Sequence, residues 1–410
     1  MRKSKLIAGV ILTIMMGVNA YTQSNPYKIK DADYQKMIDE TIVSTGNNYR
    51  LKKVLEKIRK GETVHIAALG GSVTEGAGPA KFTDGYAYQF FRAVKKVYAP
   101  GDGSNLLFNN AGLSGTPSLL GRVRYKADVV DVCGQNPDLL IVEFAVNDGG
   151  EEVFQKSFEA IVRDALLASP DTAVIAIYSA ATYGNTSFQK KPVSDYYEIP
   201  HINMLDVVNN ALKDGTFKKE EYYTDIVHPT YEGHELMKDC LMNLLAKVDK
   251  EKMDPEVKVP EKLYKEPGLN GLIRIFGDDE NVKITKGGFW RLDANCQTIK
   301  KTNKSDFPKN WHKAFDSGKD PFKIELNCKS FVWTYKVQSA SLTEKFGKAE
   351  VWVDGKLFKV CDGGAPGGWN NNECLVLINE KETGKHTVEV KMMKGSELLG
   401  FTIVAMAYSK

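Results

Sequence analysis

The chain has 410 residues, more than one ordinary domain needs, which sets a prior of roughly two or three domains. Its 42% hydrophobic and 26% charged content supplies a packed core and excludes a disordered or fibrous protein. A net charge of +3, with basic and acidic residues interspersed, leaves no electrostatic footprint for nucleic acid.

Arg2, Lys3 and Lys5 precede an apolar run from Leu6 to Val18, followed by the small-residue site Val18-Asn19-Ala20. This is the pattern of a secretory signal peptide over residues 1–20, cut after Ala20, and it implies a secreted protein, extracellular or periplasmic. The run is shorter than the roughly 20 residues a membrane-spanning helix needs, and no later stretch is long and apolar enough. No membrane span is therefore expected in the mature protein. Export permits disulfides among Cys133, Cys240, Cys296, Cys328, Cys361 and Cys374. Cys361 with Cys374 and Cys296 with Cys328 are candidate bridges, although six cysteines allow about fifteen pairings. Cys133 and Cys240 read equally well as buried thiols.

The spacing of Leu51, Val54, Leu55 and Ile58 predicts one helix across Asp33 to Lys60. A buried strand follows from Val64 to Leu69, ending in Gly70-Gly71-Ser72. Next come a helix over Tyr86 to Tyr98, a strand at Leu106-Leu107-Phe108 running towards Gly115, and a helix from Leu119 to Val132. Leu139 to Phe144 is continuously apolar, as a strand covered on both faces is, and it delivers Ala145-Val146-Asn147-Asp148. Helix Phe154 to Leu167, strand Ala173 to Tyr178, a polar loop from Thr182 to Lys191 and a short strand within Ile199 to Leu205 lead to Thr224-Asp225-Ile226-Val227-His228-Pro229. A last helix covers Thr230 to Lys247. Alternating strands and helices predict an α/β domain over residues 27–248, a three-layer α/β/α sandwich on a mostly parallel sheet.

Residues 249–264 are rich in Pro, Lys and Glu without periodicity, the composition of a linker. Beyond them the period changes to two at Phe322 to Leu326, Ala349 to Val353 and His386 to Val390, with a hairpin signal at Asp354-Gly355. Residues 265–410 therefore read as an all-β, jelly-roll-like sandwich. Of its five tryptophans, Trp352 is expected to point inward from its strand. Trp369, in the glycine-rich run 363–372, is expected to be exposed on a loop. The sandwich reads first as an accessory domain packed on the α/β unit; carbohydrate binding is the rival role.

Ser72, Gly115, Asn147, Asp225 and His228 fall at predicted carboxyl ends of strands or in the loops that follow, where ligands of open α/β sheets sit. Nucleophilic hydrolysis needs a serine, an imidazole to take its proton, a carboxylate to orient the imidazole, and donors for an oxyanion. The sequence offers a residue for each role. Alone, each block is an ordinary turn or helix cap; together they form an ordered set.

This set resembles the SGNH, or GDSL-type, hydrolase superfamily over roughly residues 48–247. The usual Gly-Asp-Ser block appears as Gly70-Gly71-Ser72, the glycine block as Asn110 to Gly115, the Gly-x-Asn-Asp block as Ala145-Val146-Asn147-Asp148, and the Asp-x-x-His block as Asp225 to His228. Gly71 and Ala145 depart from the family pattern without removing a group that does chemistry. The resemblance implies a catalytic triad of Ser72, Asp225 and His228. It implies an oxyanion hole of the Ser72 and Gly115 backbone amides with the Asn147 side chain; Gly112 is the alternative to Gly115. It implies no metal and no organic cofactor.

The appended sandwich and the Gly-Gly-Ser variant are similar to bacterial secreted carbohydrate acetylesterases. The implied partner is an acetylated polysaccharide or oligosaccharide of the plant cell wall. Two rival readings remain: a lipid or thioester acylhydrolase, and an inactive carbohydrate-binding surface protein.

Overall fold

The computed structural model describes residues 21–265, 268–299, 304–305, 307–339 and 344–410. The candidate signal peptide, residues 1–20, lies outside the described residues.

The first domain opens with α1 (Asp31–Glu40), β1 (Ile42–Ser44) and α2 (Tyr49–Arg59). The single helix expected across this stretch is thus two. Thr41, Ile42, Val43 and Thr45 are β-branched and disfavour a helix, and Gly46 turns the chain at φ +58° against the Glu198 carbonyl. Then come β2 (Val64–Gly70), α3 (Ser72–Glu75), α4 (Tyr86–Tyr98), β3 (Leu106–Gly112) and α5 (Ser118–Tyr125). A π-turn, Lys126–Val130, carries α5 into α6 (Asp131–Cys133), ended by Gly134 in the left-handed region. The domain continues through β4 (Leu139–Glu143), α7 (Glu152–Ala168), β5 (Ala173–Tyr178), α8 (Ser187–Tyr196), β6 (His201–Asn203), α9 (Leu205–Asp214), α10 (Lys219–Tyr222) and α11 (Tyr231–Lys250). α8 takes in the second half of the expected polar loop, Thr182 to Lys191, whose first half stays irregular.

The sheet order is β1-β6-β5-β4-β2-β3. Strands β2 to β6 are parallel, the mostly parallel sheet that the alternation of elements predicts, and β1 joins β6 antiparallel at the edge. Alternate residues enter opposite layers. Ile66, Ala68, Leu139, Ile141, Ile175 and Ile177 pack with α1, α2, α4, α9 and α11, whereas Ala67, Leu69, Leu140, Val142, Val174 and Ala176 pack with α7 and the π-turn. The connection from β2 runs to β3 on one side and the next strand, β4, lies on the other. A crevice therefore opens at the carboxyl ends of β2 and β4, and Ser72 follows β2 directly.

Residues 251–264, beyond the end of α11, have no regular structure but run pinned along the first domain. Glu159 accepts the Leu263 and Tyr264 amides at 2.6 and 3.1 Å, Arg163 donates to the Pro260 carbonyl, and Val259 and Leu263 pack on the second core.

The second domain comprises β7 (Ile273–Arg274), β8 (Val282–Thr285), β9 (Thr298–Ile299), β10 (Lys304–Ser305), β11 (Trp311–Lys313), β12 (Phe322–Gln338), β13 (Lys348–Val353), β14 (Lys356–Asp362), β15 (Trp369–Met392) and β16 (Phe401–Ser409). Every ladder in it is antiparallel. The long strands β12 and β15 turn a corner where Cys328↔Gly384 gives way to Ser330↔Asn379. The first half of β12 pairs β8 and the second half pairs β16, so one sheet folds into two layers. Asp354 and Gly355, at φ +48° and +77°, form the two-residue hairpin turn between β13 and β14.

Three expectations for this domain are corrected. All six cysteines are free thiols. Cys328 and Cys361 sit in the sandwich core, whereas Cys296 and Cys374 belong to the separate core between the domains, so neither candidate pair meets. Burial pushes the thiols of Cys240, Cys296, Cys328 and Cys374 up to about 12, which keeps them protonated and inert. Trp352 faces outward, its indole N–H donating to Glu350 and its ring under Lys391, because Val351 takes the inward position. Trp369 is 53% exposed, as expected, but it opens β15 rather than lying in a loop.

The outer face of the β12–β16 layer is not solvated. Val332, Val404, Ala405 and Ala407 meet Leu113, Leu119, Leu120 and Val123 of the first domain in one apolar core, which explains why β16 is buried from end to end.

Candidate active site

Strand β2 ends at Gly70, Gly71 is extended (φ −87°, ψ −150°), and Ser72 begins the four-residue helix α3. The nucleophile candidate is therefore held at a strand-to-helix turn in the crevice between β2 and β4. His228 approaches from the loop before α11. Its Nε2 lies 2.8 Å from Ser72 Oγ, and its Nδ1 lies 2.6 Å from Asp225 Oδ2. The carboxylate beside Nδ1 fixes the proton there and leaves Nε2 as acceptor for the serine hydroxyl. Asp225 Oδ1 also accepts the Val227 and His228 amides, each at 2.8 Å. Burial pushes the Asp225 carboxyl up, but the amides and the imidazole outweigh it and hold the group below the usual carboxylate range. The loop is braced from outside by Thr182, whose amide donates to the Ile226 carbonyl at 2.9 Å.

The remaining candidates surround this chain of bonds. The Asn147 amide packs on Gly71: a Cβ at position 71 would stand 2.0 Å from its Oδ1. Gly115, at φ +67°, lies on the loop after β3, and its N–H has no partner among the described residues. Gly112, the alternative, is closed against α3, since a Cβ there would stand 2.2 Å from the Glu75 amide nitrogen.

Residues 68–236, which hold this constellation, match the GDSL-like Lipase/Acylhydrolase family. The chain carries a GDSL-like lipase/acylhydrolase domain. Over both domains it is similar to a two-domain esterase active on acetylated mannans, at 25% identity and a TM-score of 0.77, covering 91% of this chain and 99% of that one. The structure of a two-domain esterase active on acetylated mannans co-crystallized with mannopentaose matches at 25% identity and a TM-score of 0.76, covering 91% and 98%. No curated protein matches the sequence.

The hydrolase domain also recruits residues to which the sequence assigns no catalytic role. Asp148 and Lys190 form a wholly buried ion pair at 2.7 Å, and Asp148 accepts the Ser118 amide at 2.6 Å, tying the loop after β4 to α5 and α8. Glu143 closes β4 with its carboxyl fully buried, and burial pushes it up to about 7. His234 is held neutral beneath the site, its pKa lowered by burial to about 4; its Nδ1 accepts the Tyr86 amide and its Nε2 faces the Ala77 carbonyl. Glu75 is buried and accepts the Ser114 hydroxyl.

The sandwich reaches the site too. A Cβ on Gly115 would stand 2.9 Å from the Trp369 ring, so that indole lies directly on the loop, while Gln297 and Asn372 lie behind it. Nothing local in the sequence marks these partners, because they come from more than 180 residues away. A separate cavity of about 180 Å³, lined by Tyr49, Arg50, Ala173 and Pro260, lies at the amino end of β5 and so at the opposite end of the sheet from Ser72.

Among the described residues no three His, Cys, Asp or Glu side chains converge as a metal site, and no helix is long and apolar enough to cross a membrane.

Proposed function

We propose that this protein is a secreted serine esterase that removes acetyl groups from a plant cell-wall polysaccharide or oligosaccharide. The observation that carries the reading is the continuous hydrogen-bonded chain Ser72–His228–Asp225, at 2.8 and 2.6 Å. Ser72 Oγ attacks the acetyl carbonyl while His228 Nε2 takes its proton, and Asp225 stabilises the resulting imidazolium. The Ser72 and Gly115 amides and the Asn147 side chain hold the oxyanion. Collapse breaks the ester bond, and the departing sugar oxygen takes the proton from His228. Water then gives a proton to the same nitrogen and attacks the acetyl-serine, releasing acetate and restoring Ser72.

The substrate rests on similarity along both domains to an esterase active on acetylated mannans, which makes acetylated mannan the first polymer to test. The open rim supports it: Tyr183, Ile226 and Trp369 are 61%, 60% and 53% exposed around the site, a surface suited to a chain laid across it. The test is acetate release from acetylated glucomannan and xylan by wild type and Ser72→Ala, with 4-nitrophenyl acetate alongside. The alanine variant should lose about 10³- to 10⁶-fold in turnover on every substrate. If Ser72→Ala matches wild type, the site reading fails. If wild type cleaves only the nitrophenyl ester, the nucleophile stands and the polymer is wrong.

A further inference from the structure

The peptide between Ser114 and Gly115 is gripped from the other domain. Gln297 Nε2 donates to the Ser114 carbonyl at 3.0 Å, and Asn372 Nδ2 donates to Gln297 Oε1 at 2.5 Å. Both side chains are buried, at 9% and 6% exposure, and both belong to the β-sandwich domain. On the opposite side the Ser114 hydroxyl donates to Glu75, one helical turn from Ser72.

A trans peptide points its C=O and its N–H in opposite directions, so whatever fixes one fixes the other. Pulling the Ser114 carbonyl towards Gln297 turns the Gly115 N–H away from the sandwich, and that N–H has no partner among the described residues. Gly115 at φ +67° is a conformation with little to hold it locally, and the alternative orientation of the plane would present a carbonyl oxygen where an anion has to form. Hydrogen bonds in series also polarise one another, so the Asn372–Gln297–Ser114 chain strengthens the Gly115 amide as a donor.

We propose that Gln297, backed by Asn372, is a positioning residue: the sandwich domain aims the Gly115 N–H of the hydrolase domain at the oxyanion. This rests on reading Gly115 as an oxyanion donor. It gives the second domain a part in the chemical step that does not depend on binding polysaccharide.

The test uses the full chain and 4-nitrophenyl acetate, a substrate too small to need polymer contacts. Gln297→Met keeps the side-chain length and removes the donor. Its kcat should fall about tenfold to a hundredfold, a fraction of the hundred- to thousandfold cost of losing an oxyanion donor outright, with KM within about twofold. Asn372→Ala should fall less, and the double variant should be no slower than Gln297→Met, because Asn372 acts only through Gln297. Ser72→Ala is run beside them. Wild-type kcat in Gln297→Met with a dead Ser72→Ala overturns the relay and leaves the site intact; a fully active Ser72→Ala overturns the site reading itself. Should Gln297→Met fail to fold, Asn372→Ala decides alone, and wild-type kcat there, or loss only in proportion to unfolded protein, overturns the proposal.

Discussion

Position 71 shows how one missing side chain shapes the site. Related hydrolases commonly carry an acid there; in this chain the Asn147 amide packs into the space a side chain would take, and a Cβ would come within 2.0 Å of Oδ1 and 2.7 Å of Cγ. The backbone at Gly71 is ordinary extended chain, so nothing in its dihedral angles demands glycine. A substitution therefore acts through Asn147 alone. Gly71→Ala should fold with stability within about 1 kcal/mol of wild type, since the atom it meets is the end of a movable side chain. By pushing that amide aside it should lower kcat about a hundredfold or more. Steady-state kinetics on 4-nitrophenyl acetate with a thermal melt check both halves; unchanged turnover would remove Asn147 from the oxyanion site.

The same scale explains what was legible. Ser72, Asp225, His228 and Asn147 stood out because each lies in a short block whose residue types suggest its chemistry. Gln297, Asn372 and Lys190 did not, because an amide or a lysine acquires its role only when folding brings it to a partner far along the chain.

Among the elements, α8 departs most from its sequence. Asn185, Thr186, Ser187, Gln189, Lys190, Lys191 and Pro192 have the composition of a loop, yet Ser187–Tyr196 is helical with Pro192 inside it. Tertiary contacts overrule the propensity: Gln189, Lys190, Val193 and Ser194 are buried, and Lys190 reaches Asp148 with both side chains wholly inaccessible. A buried pair costs desolvation when formed, but breaking it leaves a bare charge in the interior. Lys190→Met should destabilise by about 3–5 kcal/mol, and adding Asp148→Asn should recover much of that, because the amide stays neutral and still accepts from Ser118. Urea unfolding of the two variants measures it. A Lys190→Met variant within about 1 kcal/mol of wild type would mean that α8 is held by its apolar face instead. By contrast α4 and β5 matched their sequence boundaries, since a strong apolar period and a buried run leave no alternative packing.

For the whole molecule, the break in composition near residue 250 marks where helices give way to strands but not where cohesion ends. Two domains joined by a free linker would unfold separately. Here the strap over residues 249–264 is hydrogen-bonded to α7, and Leu113, Leu119, Leu120 and Val123 share a core with Val332, Val404, Ala405 and Ala407. Exposing a buried aliphatic side chain costs about 1.5–3 kcal/mol, so uncovering those four residues of the first domain would cost at most about 6–12 kcal/mol. That is comparable to the about 5–15 kcal/mol by which a domain is typically stable, so neither unit is left with much reserve when its partner unfolds. Calorimetry should therefore record one cooperative transition for the full chain, with calorimetric and van't Hoff enthalpies in agreement. A chain ending at residue 250 should melt far lower, or aggregate through its bared α5. Two resolved transitions in the full chain would show that the shared core is too weak to couple them, and the sandwich would then be an appendage of the hydrolase rather than part of its fold.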